Sequence, residues 1–188
     1  MDQLPDETLF ARLMKGDEEA IEVLFARYAQ SLYGFFWRLT SDPALAEDLL
    51  QELFIRLVNY TGKLPQHFRA WLYTIARNLS YDALRSQSRQ QIHQVDGFDD
   101  DLDEIKDVMQ NGPEKTALRR ADDERIRKSL DQLPDVQREV VVLRYYQELS
   151  LEEIAKVTKV PLGTAKSRLY HALELLRGML TREEVKDG

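Results

Sequence analysis

The sequence predicts an all-helical fold divided into two domains. Three observations carry that expectation. Apolar residues recur at helical spacing along most of the 188 residues, whereas the strict alternation of a β-strand is almost absent. The 8 glycines and 6 prolines tend to fall between these periodic stretches. Residues 92–112 break the periodicity with a polar, acidic run poor in aromatics, the composition of a flexible linker. The expected organisation is therefore a four-helix domain over 1–91, a linker over 92–112 and a second helical domain over 113–188.

Helices are expected near residues 5–15, 18–40, 43–60 and 66–90, then 113–131, 135–147, 150–158 and 161–181. Pro43 after Ser41-Asp42 and Pro134 after Leu133 mark two starts, because a helix's first turn tolerates a missing N–H. In the third helix Ala46, Leu50, Leu53 and Leu57 form an apolar seam with Leu49 and Phe54 on its shoulders. Asp48, Gln51, Glu52, Ile55 and Asn59 then face outward. An isoleucine centred in an acidic and amide-bearing stripe has the layout of a partner surface. A lone exposed isoleucine among solvated acids is also ordinary.

The fourth helix buries Phe68, Trp71, Leu72, Ile75 and Leu79 by the same spacing. Tyr73, Arg77 and Tyr81 fall on the opposite side, one turn apart, with Leu84 continuing the row. Alternating rings and guanidinium groups suit unpaired DNA, since both stack on bases while the charge follows the backbone. Asn78, on the flank beside Trp71, offers a donor and an acceptor to an extruded base edge. The alternative is a surface helix whose tyrosines pack on neighbours. Asp82 falls toward the buried side, within reach of Arg85.

The net charge of -7 runs against DNA binding until its distribution is considered. Val95 to Thr116 carries eight acidic residues against Lys106 and Lys115 and so supplies most of the total. Phe68–Gln91 and Ile154–Arg177 are both locally basic, and they flank this acidic connector.

Near the C-terminus, LSLEEIAKVTKVPLGTAKSRLYHALELLRGML encodes two short helices and a tight turn. Ser150 and Glu153 have capping-box spacing, and Leu149 with Ile154 can form a hydrophobic staple. Thr158, Lys159 and Val160 break the helix, and Pro161 suits the first turn of the next. In that last helix Ala165, Leu169, Ala172, Leu176 and Leu180 share one face, while Ser167, Tyr170, His171 and Glu174 point away. Gly163 and Thr164 keep the first turn slim and Lys166 lies at the edge of the outward face, so the helix can enter a major groove. Lys166, Ser167, Tyr170 and His171 are the expected DNA contacts. Arg168 projects nearer the buried side and serves equally as a phosphate contact or a structural ion pair. Such helix pairs also occur in domains that never touch DNA.

The chain contains no cysteine, which excludes disulfides, thiolate zinc sites and a cysteine nucleophile. His67, His93 and His171 lack metal-ligand spacing, and no phosphate loop or nucleophile elbow is present, so neither a metal nor a cofactor is expected and an enzyme is the lesser reading. No apolar run approaches the roughly 20 residues that cross a bilayer. MDQLPDETLF lacks a secretion-signal pattern, and a cytoplasmic location is expected.

Taken together, three segments resemble the extracytoplasmic-function (ECF) sigma factors, the smallest branch of the main bacterial sigma family. AEDLLQELF resembles the family's core-polymerase-binding helix, FRAWLYTIARNLSYDALR its promoter-melting and -10-reading helix, and LSLEEIAKVTKVPLGTAKSRL its -35-reading helix-turn-helix. The resemblance implies a sigma-2 and a sigma-4 domain, joined by an acidic connector that runs through the polymerase cleft. It implies that Asp48, Leu49, Gln51, Glu52, Phe54 and Ile55 face the clamp helices of the largest polymerase subunit. Asn78, with Tyr73, Arg77, Tyr81 and the Thr61–His67 loop that carries Lys63, would serve the -10 element and its flipped base. Thr164, Lys166, Ser167, Arg168, Tyr170 and His171 would face the -35 element. Relatives often carry arginine where this chain has His171, and some carry it in place of Lys166, which exchanges a bidentate fork for a point charge. The implied partners are core RNA polymerase, promoter DNA and an anti-sigma factor, with a monomer when free and no insertion into membranes. The rival readings are a self-sufficient helix-turn-helix regulator and a helical adaptor.

Overall fold

The computed structural model describes residues 3–93 and 125–186, and it is helical throughout apart from short connections. Most of the acidic connector, and residues 113–124 of the expected fifth helix, lie outside the described residues. The first domain consists of α1 (Asp6–Leu13), α2 (Glu18–Thr40), α3 (Pro43–Val58) and α4 (Phe68–His93). The second comprises α5, described over 125–131, α6 (Asp135–Val141) running into a π-helical turn (Val142–Tyr146), α7 (Leu151–Thr158) and α8 (Leu162–Lys186). Among the described residues no helix is long and apolar enough to cross a membrane.

Local chemistry sets the element ends. The Asp42 carboxylate accepts from the Leu45 N–H at 3.1 Å, and Pro43 occupies the first turn of α3. α2 stops at Ser41, which adopts a left-handed φ of 58° and donates its N–H to Trp37 O at 2.8 Å. The N-terminus of α4 is capped from another helix, with Glu7 Oε1 accepting from the Phe68 N–H at 3.0 Å. α8 is longer than expected, reaching Lys186 instead of residue 181.

The first domain closes on Leu9, Phe10, Leu24, Leu32, Phe35, Phe36, Leu53, Phe68 and Leu72, all fully buried. Phe10, Tyr60, Phe68 and Trp71 form an aromatic cluster with centroids 4.8 to 5.9 Å apart. A smaller cluster of Leu130, Leu133, Val141 and Ala172 belongs to the second domain alone. Val140, Val142, Leu143, Leu149, Ile154, Val157 and Ala165 instead join the first domain's core, so apolar packing is continuous across the two halves.

α8 carries Gly178 in its interior, where an added Cβ meets nothing within 4 Å. Gly178→Ala is therefore expected to stabilise the second domain by about 0.5–1 kcal/mol, since glycine is the costlier residue in a helix. A thermal melt that shows no rise, or a fall, would contradict this.

Candidate nucleic-acid interface

The helix-turn-helix is built as its residues require. Ser150 Oγ accepts from the Glu153 N–H at 3.2 Å, and Glu153 Oε2 accepts from the Ser150 N–H at 2.8 Å, completing the capping box. Leu149 and Ile154 are both fully buried in one cluster. Lys159 ends α7 in the left-handed region at φ 55°, and Pro161 O accepts from Thr164 and Ala165 to start α8. On α8, Ala165 and Ala172 are fully buried while Lys166, Ser167, Tyr170 and His171 are exposed, Tyr170 at 63%. The Tyr170 and His171 rings meet edge to face at 5.6 Å. Thr164 and Arg168 are half-buried. The Arg168 charge lies near enough to the buried Glu139 carboxylate to favour that group's ionised form.

The loop before α4 stands on the aromatic cluster. Tyr60 packs its ring on Trp71 and donates its hydroxyl to Lys63 O at 2.9 Å, leaving Lys63, Leu64, Gln66 and His67 exposed. Asn78, one face along from this loop, is half-buried.

The row Tyr73, Arg77 and Tyr81 does not face solvent. Tyr73 is 1% exposed and its hydroxyl donates to the Gln147 side-chain carbonyl, with Ser31 Oγ 3.3 Å away. Arg77 forms an ion pair with Glu139, a fully buried residue of α6. Tyr81 donates to the other Glu139 oxygen at 3.2 Å and lies beneath the Arg77 guanidinium, 4.6 Å from its ring centre. Arg69 donates to the backbone carbonyl of Gln147. α4 therefore buries two faces, one against α1–α3 and the other against the second domain. The opposite edge is correspondingly more open than expected, and Trp71 and Ile75 are only partly buried. Asp82 is exposed, not turned inward.

Burial raises the Glu139 carboxyl above the usual carboxylate range, and its contacts with Arg77 and Tyr81 and the nearby Arg168 charge pull it back. Burial also pushes the Tyr81 and Tyr73 hydroxyls up, so both remain protonated donors.

On α3, Asp48, Gln51 and Ile55 are exposed, with Ile55 at 56%, and Glu52 pairs with Arg56 at 2.7 Å. Leu49 and Phe54 belong to the core rather than to this face. Phe54 packs against Phe25 of α2 at 4.8 Å, and it is Phe25 and Val58 that extend the exposed apolar surface around Ile55.

These surfaces follow the order of a known architecture. Residues 24–90 match the Sigma-70 region 2 family and residues 123–176 the Sigma-70 region 4 family. The ECF RNA polymerase sigma factor SigX of Bacillus subtilis is 33% identical over 174 residues, covering 90% of this chain and 89% of that protein. The chain is an ECF sigma factor. The RNA polymerase sigma-H factor of Pseudomonas aeruginosa is 30% identical to it over 182 residues, covering 93% of each. The sigma factor shares its fold with RpoE in a solved complex with the anti-sigma factor NepR from Bartonella quintana, at a TM-score of 0.68, 24% identity and coverage of 85% of this chain and 96% of that one. A solved structure of CnrH with the cytosolic domain of CnrY also gives 0.68, at 22% identity over 94% of this chain and 97% of that one. As a sigma factor, the protein directs transcription initiation by RNA polymerase.

Proposed function

We propose that this sigma factor docks on core RNA polymerase through Asp48, Gln51, Glu52 and Ile55 of α3, extended by Phe25 and Val58. It reads the -35 element with Thr164, Lys166, Ser167, Tyr170 and His171 of α8. Arg77, Asn78 and Tyr81 of α4 and Lys63 of the preceding loop serve the -10 element. The work is recognition and strand separation without covalent chemistry: unstacking costs a few kcal/mol for each extruded base, which capture of the base offsets. The domains, placed near 1–91 and 113–188 on either side of the acidic connector, act as linked readers that raise each other's effective concentration. The chain works in the cytoplasm, is monomeric when free and is restrained by an anti-sigma factor.

The observation that carries this reading is the exposed polar face of α8, presented on a capped helix-turn-helix behind fully buried Ala165 and Ala172. Mixing the purified chain with bacterial core enzyme and a promoter library, then sequencing transcript starts, tests it. Starts clustered downstream of a shared pair of elements are expected; starts indistinguishable from those of core enzyme alone would overturn it.

His171→Arg is expected to strengthen -35 binding by the holoenzyme and to steepen its salt dependence, because a further fixed cation releases about one more counterion. Unchanged affinity across a salt titration would remove this histidine from the interface.

A further inference from the structure

Two of the side chains proposed to read the -10 element, Arg77 and Tyr81, are occupied by the protein itself. The Glu139 carboxylate holds Arg77 and Tyr81 at once, as a backbone phosphate accepts a guanidinium and a hydroxyl. One turn nearer the start of α4, Gln147 takes the Tyr73 hydroxyl on its side-chain oxygen and the Arg69 guanidinium on its backbone carbonyl, while its amide donates to Ser31 O at 3.2 Å. Gln147 is buried because α6 ends in a π turn, closed by its own N–H donating to Val142 O at 3.2 Å. Such turns interrupt a regular helix and commonly mark functional positions. Around these contacts Arg38 lies over the Tyr146 ring at 3.9 Å, and Ser41 donates to Asp131 at 2.7 Å. The exposed face of α8 takes no part, so the closed chain leaves one reader open and engages Arg77 and Tyr81 of the other.

We propose that Glu139 and the π turn form an internal clasp that mimics promoter DNA, holding the free chain shut over α4 until polymerase and the -10 strand displace it. The proposal rests on the reading of α4 as the -10 reader. It accounts for a fully buried acid whose ion-pair and hydrogen-bond partners belong to the other half of the chain: Glu139 sits in an apolar run and holds Arg77 and Tyr81 of α4. Competition for the same guanidinium makes clasp and DNA mutually exclusive, and the affinity of the free chain falls by its open fraction.

Because the natural chain has no cysteine, Glu22→Cys and Glu152→Cys, both exposed, place a fluorophore pair across the two domains for energy transfer. High transfer is expected in the otherwise unchanged chain and lower transfer in Glu139→Gln and in Gln147→Leu, either of which suffices if the other does not fold. With a minor open state of at most about a tenth, opening should raise affinity for mixed-sequence single-stranded DNA about tenfold or more. That rise must exceed the rise in Glu18→Gln, which removes one exposed charge away from the clasp. Titrating the same DNA into the unmutated pair should lower transfer as it binds. Unchanged transfer in a folded variant, opening without gained affinity, or constant transfer at saturating DNA would each overturn the clasp. Transcription by the reconstituted holoenzyme separates the two ideas: its failure removes the promoter reading while the transfer data stand, and normal transcription with unchanged transfer removes the clasp alone.

Discussion

Arg138→Ala is expected to lower the stability of the second domain by about 3 kcal/mol, the loss of several charge-assisted hydrogen bonds at a nearly buried site. The Arg138 guanidinium donates to Asp131 O at 2.8 Å, Leu133 O at 3.2 Å and Leu130 O at 3.0 Å, three carbonyls clustered where α5 ends, the last of which also accepts the Leu133 N–H at 3.1 Å. It also approaches Leu39 O of the first domain at 3.4 Å, while its ion pair with the exposed Asp135, at 3.8 Å, adds little. The side chain thus holds the α5–α6 corner on which Leu130, Leu133 and Val141 are packed. For a domain of this size the loss corresponds to a fall in Tm on the order of 10–20 °C. Arg138→Lys should recover little, because one compact ammonium cannot span the separate carbonyls that a guanidinium fork reaches from two of its nitrogens. Calorimetry showing a loss below about 1 kcal/mol in Arg138→Ala would mean that water satisfies these carbonyls instead.

Most of the fold is legible because most helices have one dominant buried stripe and a local signal at an end. Asp42-Pro43, the Ser150–Glu153 box and Pro161 are such signals, and the helices begin within two residues of where they place them. The face of α8 was legible for the same reason: only one of its sides is packed, so periodicity sorts it. On α4 the spacing leaves two readings of the tyrosine row open, stacking on DNA or packing on neighbours, and in the structure the row packs because the helix is covered on two sides. A helical wheel assigns Tyr73, Arg77 and Tyr81 to solvent when one core is assumed, and nothing in a single sequence ties Arg77 to Glu139, 62 positions away. The π turn was equally hidden, since apolar spacing read 135–147 as one regular helix, and the wider turn is what swings Gln147 inward. Spacing alone puts Leu49 and Phe54 on the shoulders of the α3 seam, and the structure buries both. The shoulder is covered because α2 lies across it with Phe25 against Phe54, so the exposed aromatic on this surface comes from a helix that spacing alone did not connect to it.

That shared surface gives the second large expected effect. Ile55→Glu should weaken binding to core RNA polymerase by roughly 30- to 1000-fold, equivalent to about 2–4 kcal/mol for a central apolar contact replaced by a charge that must be desolvated. Ile55 is more than half exposed in the free chain and is flanked by exposed Gln51, Val58 and Phe25, so its replacement leaves the fold's own packing intact. The melting curve should shift by no more than about 0.5 kcal/mol, the range for a surface change away from special features. Glu52→Gln provides the contrast: it lies at the edge, already paired with Arg56, and its loss should mainly slow association at low salt. Equilibrium binding to labelled core enzyme, read together with melting of the free variants, separates a lost contact from a lost fold. Undiminished core binding by Ile55→Glu would move the docking site off the outer face of α3, whereas a loss of both binding and melting temperature would place Ile55 in the packing of the domain.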